Sequence, residues 1–113
     1  MNNPAQDSYQ LYIGGEWVDA SDGATLDSFC PATGEKLSTI ADATREDVDR
    51  AVEVAWKAFE TWGKTDKTER AAILNKVADI IEENAEKLAL LETLDNGKPI
   101  RETRAIDIAY SVD

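Results

Sequence analysis

Tyr9–Ala20 reads YQLYIGGEWVDA, and this stretch decides how the first third of the chain folds. Tyr9, Leu11 and Ile13 alternate with polar or surface-tolerant positions, Glu16 to Val18 is a second β-prone run, and Gly14-Gly15 sits between them. Glycine takes positive φ at both central turn positions without a steric penalty, so the spacing predicts a tight antiparallel hairpin. Working outward, Asp19 to Gly23 (DASDG) carries turn chemistry. Thr25 to Phe29 and Glu35 to Ile40 then flank a turn at Pro31-Ala32-Thr33-Gly34, a second hairpin. On the other side, residues 1–8 are polar, contain a proline and read as a flexible arm.

The remainder reads as helix. Thr44 is an N-cap, with Glu46 and Asp47 in the first turn, where carboxylates suit the helix dipole. Val48, Ala51, Val52, Ala55, Phe59 and Trp62 recur at helical spacing and define one apolar face that ends at Gly63. Asp66 with Glu69 reads as a capping box, and Leu74, Val77, Ala78 and Ile81 form the next stripe. Asn84 restarts the helix, Leu88, Leu91 and Leu94 continue its apolar face, and Asn96-Gly97 supplies a left-handed C-cap. Pro99 blocks simple continuation, and Ile106 to Val112 reads as the start of another helix. The fold class expected is therefore α/β, locally α+β: short antiparallel β-hairpins followed by long helices. Isolated hairpins are marginal in water, and the helical faces need covering. Residues 9–113 accordingly read as an incomplete part of something larger.

Composition narrows the function. The chain has 113 residues, with 42% apolar and 31% charged residues, the balance of a globular protein. Twelve Lys and Arg against 23 Asp and Glu leave a net charge of −11. Such a surface repels phosphate, so neither nucleic acid nor an anionic membrane is an expected partner. No apolar run approaches the roughly 20 residues that cross a bilayer, and the N-terminus lacks the pattern of a signal peptide. One cysteine excludes an internal disulfide and fits a reducing compartment, the cytoplasm. The absence of histidine removes Ser-His-Asp and Cys-His nucleophiles and every His-containing metal site.

Few residues carry chemistry. Cys30 lies in FCPATG with no cation before Lys36, which suits a small structural residue at a strand end rather than an activated thiol. Glycines at 14, 15, 23, 34, 63 and 97 build neither GxGxxG nor a P-loop, and Pro99 stands where a P-loop requires Ser or Thr. The acids lie mostly opposite the apolar stripes, as a solvated face does. Asp95 is the acid that stands apart, because it meets the unfavourable C-terminal pole of a helix beside Asn96-Gly97. It is read as hydrogen-bonded to that turn or as a cation ligand. Trp17, Trp56 and Trp62 read as core or interface residues.

IGGEWVDA, CPATGEKL, EDVDRAVEVAWKAFETW, the run RAAILNKVADIIEENAEKLALLETLDNGKPIRET and the closing AIDIAYSVD together resemble the N-terminal segment of the NAD(P)-dependent aldehyde dehydrogenases, from about Leu11 to Asp113. The resemblance implies an oxidoreductase that converts aldehydes to carboxylic acids with NAD or NADP, through a catalytic Cys and Glu. Those residues, an oxyanion-hole Asn and the nucleotide-binding motifs lie downstream of the matched stretch in that family. No residue of this chain is assigned a catalytic or cofactor-binding role, and no coenzyme is expected to bind it alone. Cys30 stands where many family members have Asn, and is not the nucleophile. The family places this segment at the N-terminal edge of a Rossmann-like coenzyme-binding domain.

The resemblance also implies a monovalent cation site, Na+ or K+, held by the Asp95 carboxylate and the backbone carbonyls of Ser28 and Phe29; oxygen-only ligation suits such a hard ion. The implied partners are the rest of an aldehyde dehydrogenase chain and, in the whole protein, further copies in a homo-oligomer. By itself the segment is expected to be inactive and to expose apolar surface. The alternative is a small acidic protein-interaction module with no enzymatic parent, with a self-contained core and a polar surface all round.

Overall fold

The computed structural model describes residues 3–113. Met1 and Asn2 of the expected arm lie outside the described residues. The chain divides into two compact units, one of residues 3–5, 29–37 and 66–113, the other of residues 6–28 and 38–65.

In the second unit, β2 (Leu11–Ile13) and β3 (Glu16–Val18) form the expected antiparallel hairpin, with Leu11 opposite Val18 and Ile13 opposite Glu16. Gly14 and Gly15 have φ of +65° and +88°, the pair of left-handed residues such a two-residue turn requires. Ile13 is buried, whereas the Tyr12 and Trp17 rings meet on the opposite face with centroids 4.8 Å apart and planes tilted by 52°.

β4 (Thr25–Phe29) and β5 (Lys36–Ala41) are neighbours in a three-stranded sheet, in which β5 lies between β4 and β1 (Ser8–Tyr9). The six residues joining them are too few for a parallel crossover. The Asp42 N–H to Ala24 carbonyl bond of 2.9 Å and the Thr39 hydroxyl to Asp27 carboxylate bond of 3.2 Å fit an antiparallel register. The third strand, β1 (Ser8–Tyr9), was not expected. It pairs parallel to β5, with Ser8 opposite Thr39 and Tyr9 opposite Ile40. Ser8, counted with the arm from sequence, is thus a strand residue. The stretch before it is also bonded: the Thr39 N–H donates to the Asp7 carbonyl at 3.0 Å, and the Asn3 amide donates to the Leu37 carbonyl at 2.9 Å.

The helices follow: α1 (Arg45–Trp62) in the second unit, α2 (Lys67–Glu83) and α3 (Ala85–Asn96) in the first. Thr44 caps α1 as a capping box, but its reciprocal partner is Asp47. α2 starts at Asp66, whose carboxylate accepts the Thr68 N–H at 2.8 Å. That one-sided cap replaces the expected Asp66–Glu69 box. Asn84 separates α2 from α3 as expected, and Gly97 closes α3 at φ +81°. The last helix differs from expectation: it begins at Ile100, not Ile106, and is interrupted. α4 (Ile100–Glu102) runs into a π-helical turn (Thr103–Ile108) and then α5 (Ala109–Val112). Pro99 marks its start because proline at a helix N-terminus gives up an N–H that has no partner anyway.

Few side chains are buried. In the first unit Ala89 and Thr103 are fully enclosed. On α1 the one buried residue is Asp47, while Val48, Val52, Trp56 and Phe59 are exposed. On α2, Ile73, Leu74, Val77 and Ile80 are exposed as well. The polar surface all round that a free-standing interaction module requires is not what these residues build.

Candidate functional site

The region of the implied cation site lies where α3 ends. The Gly97 N–H donates to the Thr93 carbonyl at 3.0 Å, and the Lys98 N–H to the Asn96 side-chain oxygen at 2.8 Å, which closes the turn that carries Asp95. A Cβ at Gly97 would lie 3.0 Å from Pro31 Cγ, so the end of α3 rests on the turn that follows Phe29. Asp95 and Phe29 are exposed and Ser28 is half-buried. This contact brings Gly97 against Pro31 within the first unit. Among the described residues there is no group of three or more His, Cys, Asp and Glu able to hold a metal.

Cys30 opens this same turn. Its N–H donates to the Glu35 carbonyl at 2.9 Å, and its carbonyl accepts the Gly34 N–H at 2.7 Å. The thiol is buried, with 3% of the residue exposed. The Thr33 side chain and the backbone N–H groups of Ala32 and Thr33 aim at the sulfur and hold its pKa below the ordinary thiol value, against burial and the nearby Glu35 charge. The sulfur thus occupies the acceptor position that an Asn side chain takes in an Asx turn. With no histidine in the chain to serve as base, the thiol is a turn element, as its sequence context suggested.

Asp47 was read from sequence only as a favourable first-turn charge. It is instead a buried, multiply bonded carboxylate. Oδ2 accepts the N–H groups of Ser21 and Thr44, both at 3.0 Å, and the hydroxyls of Thr44 and Ser21 at 3.0 and 3.2 Å. Those backbone donors keep its pKa below the usual carboxylate range, against the effect of burial. The node ties the DASDG turn to the start of α1. Thr44-x-x-Asp47 is itself a capping-box spacing, so half of the node was legible; the Ser21 half joins residues 26 positions apart.

In the first unit, Lys98 Nζ meets Asp107 Oδ1 at 2.6 Å, and this contact holds the Lys98 pKa above its ordinary value. Asp107 Oδ2 is buried with no partner among the described residues. The Thr103 hydroxyl bonds to Thr93 Oγ1 and to the Ile100 carbonyl, both at 3.0 Å.

An apolar groove of about 410 Å³ in the second unit is lined chiefly by Leu11, Ile13, Val48, Ala51, Val52 and Ala55. It continues the exposed stripe of α1. None of these places joins a nucleophile to a base or offers a glycine-rich cradle for phosphate. What these places share is capped helices, tied turns and open apolar faces.

A family model described as the aldehyde dehydrogenase family matches residues 17–113. Acetaldehyde dehydrogenase 2 of Cupriavidus necator is 43% identical across the whole chain, which spans 22% of that protein. The EPTC-inducible aldehyde dehydrogenase of Rhodococcus erythropolis is 46% identical over 96% of the chain and 21% of its own length. The NAD+ complex of an aldehyde dehydrogenase from Bacillus cereus superposes with a TM-score of 0.89 at 42% identity, over 93% of this chain and 22% of that one. The chain spans about a fifth of the length of the curated relatives it matches, and with the family model covering 97 of its 113 residues it belongs to the aldehyde dehydrogenase family.

Proposed function

We propose that this chain is the N-terminal part of the coenzyme-binding domain of an enzyme that oxidises an aldehyde to a carboxylic acid with NAD as hydride acceptor. The observation that carries this reading is the 43% identity maintained over every residue of the chain with an acetaldehyde dehydrogenase. The role assigned to these residues is structural. α1 and α2 turn apolar stripes outward, and the remainder of the polypeptide covers them. Burying each Val, Ile, Phe or Trp there contributes about 1.5–3 kcal/mol, which stabilises the domain around the coenzyme.

A monovalent cation, Na+ or K+, is held by the Asp95 carboxylate and the Phe29 carbonyl, with the Ser28 carbonyl one residue earlier on the same strand. When bound, it supplies a positive charge against the C-terminal pole of α3 and contributes no redox step. The whole protein assembles as a homo-oligomer. A cytoplasmic setting fits its single buried free thiol, and among the described residues no helix is long and apolar enough to cross a membrane.

The test is a comparison of the 113-residue chain with a whole protein containing it, assayed for NAD reduction with acetaldehyde and a panel of larger aldehydes. Turnover by the whole protein and none by the 113-residue chain supports the reading. Turnover by the short chain, or a whole protein inert toward every aldehyde with NAD and NADP, overturns it.

A further inference from the structure

Asn96 and Gly97 close α3, and of the chain's asparagines Asn96 alone precedes a glycine. That pair has a chemistry of its own. The backbone nitrogen of the following residue can attack the asparagine Cγ, and glycine, with no Cβ, leaves the approach open. Asparagine is thermolabile for this reason among others. The structure adds the state of the atoms involved. Both residues are exposed, so water and hydroxide reach them. The nucleophile is occupied, because the Gly97 N–H donates to the Thr93 carbonyl at 3.0 Å. The carboxamide is held at both ends: Oδ1 accepts the Lys98 N–H at 2.8 Å, and Nδ2 donates to Glu92 Oε1 at 2.5 Å. All three bonds sit at a helix end, where hydrogen bonds open more readily than in a helix interior.

We propose that Asn96 is a site of spontaneous deamidation, held back by the cap of α3 and released when that cap opens. In the open cap the Gly97 nitrogen loses its proton to hydroxide and attacks Asn96 Cγ. The N–Cγ bond forms, the Cγ–Nδ2 bond breaks, and Nδ2 leaves as ammonia with a proton drawn from water. The product is a succinimide ring. Water then opens the ring at either carbonyl, giving aspartate or isoaspartate. The sum is one water consumed and one ammonia released, with no oxidant or reductant.

Neither product serves as the cap that asparagine makes. Aspartate has no N–H to offer Glu92 and sets a second carboxylate against it at i, i+4, at the helix pole that disfavours negative charge. Isoaspartate lengthens the backbone by one carbon just before Gly97, the glycine whose Cβ, if it had one, would lie 3.0 Å from Pro31 Cγ. The conversion thus loosens the end of α3, and refolding does not reverse it.

The experiment follows Asn96 in the full 113-residue chain at mildly alkaline pH, by peptide mapping that separates asparagine, aspartate and isoaspartate at each position. Resolution by position matters because Asp22-Gly23 can form isoaspartate through the same kind of ring. Asn96 should convert several-fold more slowly in the folded chain than in the same chain unfolded in urea. Glu92→Ala, which frees Nδ2, should speed conversion several-fold in the folded chain and leave the rate in urea unchanged. Glu92→Gln, which keeps an acceptor, should restore the wild-type rate. Equal rates for the folded and unfolded wild-type chain overturn the proposal, as does a folded Glu92→Ala chain that converts no faster than wild type, or failure of Glu92→Gln to restore the rate. If Glu92→Ala loses its helix content by circular dichroism, the wild-type chain decides. Urea added below the unfolding transition should raise Asn96 conversion in step with hydrogen exchange at the Gly97 amide, and conversion that stays flat while exchange rises overturns the proposal.

Discussion

α1 and α3 are helices of the same chain with opposite economies of burial. α1 carries a clear apolar stripe, yet the residue it buries is Asp47, and Trp56 on the stripe is 67% exposed. α3 buries Ala89 completely, and its C-terminal turn seats against Pro31. The difference separates two kinds of sequence instruction. Caps, turns and small-residue contacts are completed by residues within the chain. The α1 stripe addresses a surface that the described residues do not supply.

Breaking a completed contact should therefore be costly, and altering the stripe should not. The largest effect is expected at Ala89→Leu, which forces three carbons into a fully enclosed site and should destabilise the first unit by about 1–3 kcal/mol, read by chemical denaturation. Gly97→Ala follows, at about 1–2 kcal/mol, because a side chain is disfavoured at positive φ, and its Cβ would press on Pro31 Cγ at 3.0 Å. Thr44→Ala should cost about 1 kcal/mol through the lost N-cap.

Asp47 adds a pH dependence at that same cap. Its folded pKa is depressed, so the stability it contributes is present above the ordinary carboxylate range, near about pH 4. That contribution is lost as the pH falls through the lower folded value. Asp47→Asn should flatten the acid limb of a pH–stability curve, and an unchanged limb would count against the node. The smallest effect belongs to Trp56→Gln, within about 0.5 kcal/mol on folding stability. Its consequence should instead be weaker self-association of the 113-residue chain in sedimentation velocity. A large loss of stability from this change would show that the stripe is already covered, and would erase the contrast between the two helices.

What could be read in advance follows the same division. The Gly14-Gly15 turn, the Thr44 cap, the Gly97 stop and the uncovered stripes depend on neighbours within a few residues, and the reading of each stands. The parallel pairing of Ser8 with Thr39, the Ser21–Asp47 bond and the Lys98–Asp107 pair depend on where distant residues arrive, and periodicity carries no signal for them. The π turn of residues 103–108 was hidden for a related reason: Ile106 and Tyr110 sit at α spacing, and one extra residue of winding leaves no mark on that spacing. Asp95 stood apart from its position on a helix end, but Ser28 and Phe29 entered through family resemblance alone, because a carbonyl donor leaves no mark on the side-chain alphabet.

The solitary sulfur at position 30 gives the molecule an internal clock. A thiol reagent reaches Cys30 when the turn of residues 30–35 opens, so labelling rates would time that opening with no probe added. Because no other cysteine contributes to the signal, the measured rate belongs to one loop, and a ligand that tightens the end of α3 against Pro31 would register as a slower tick.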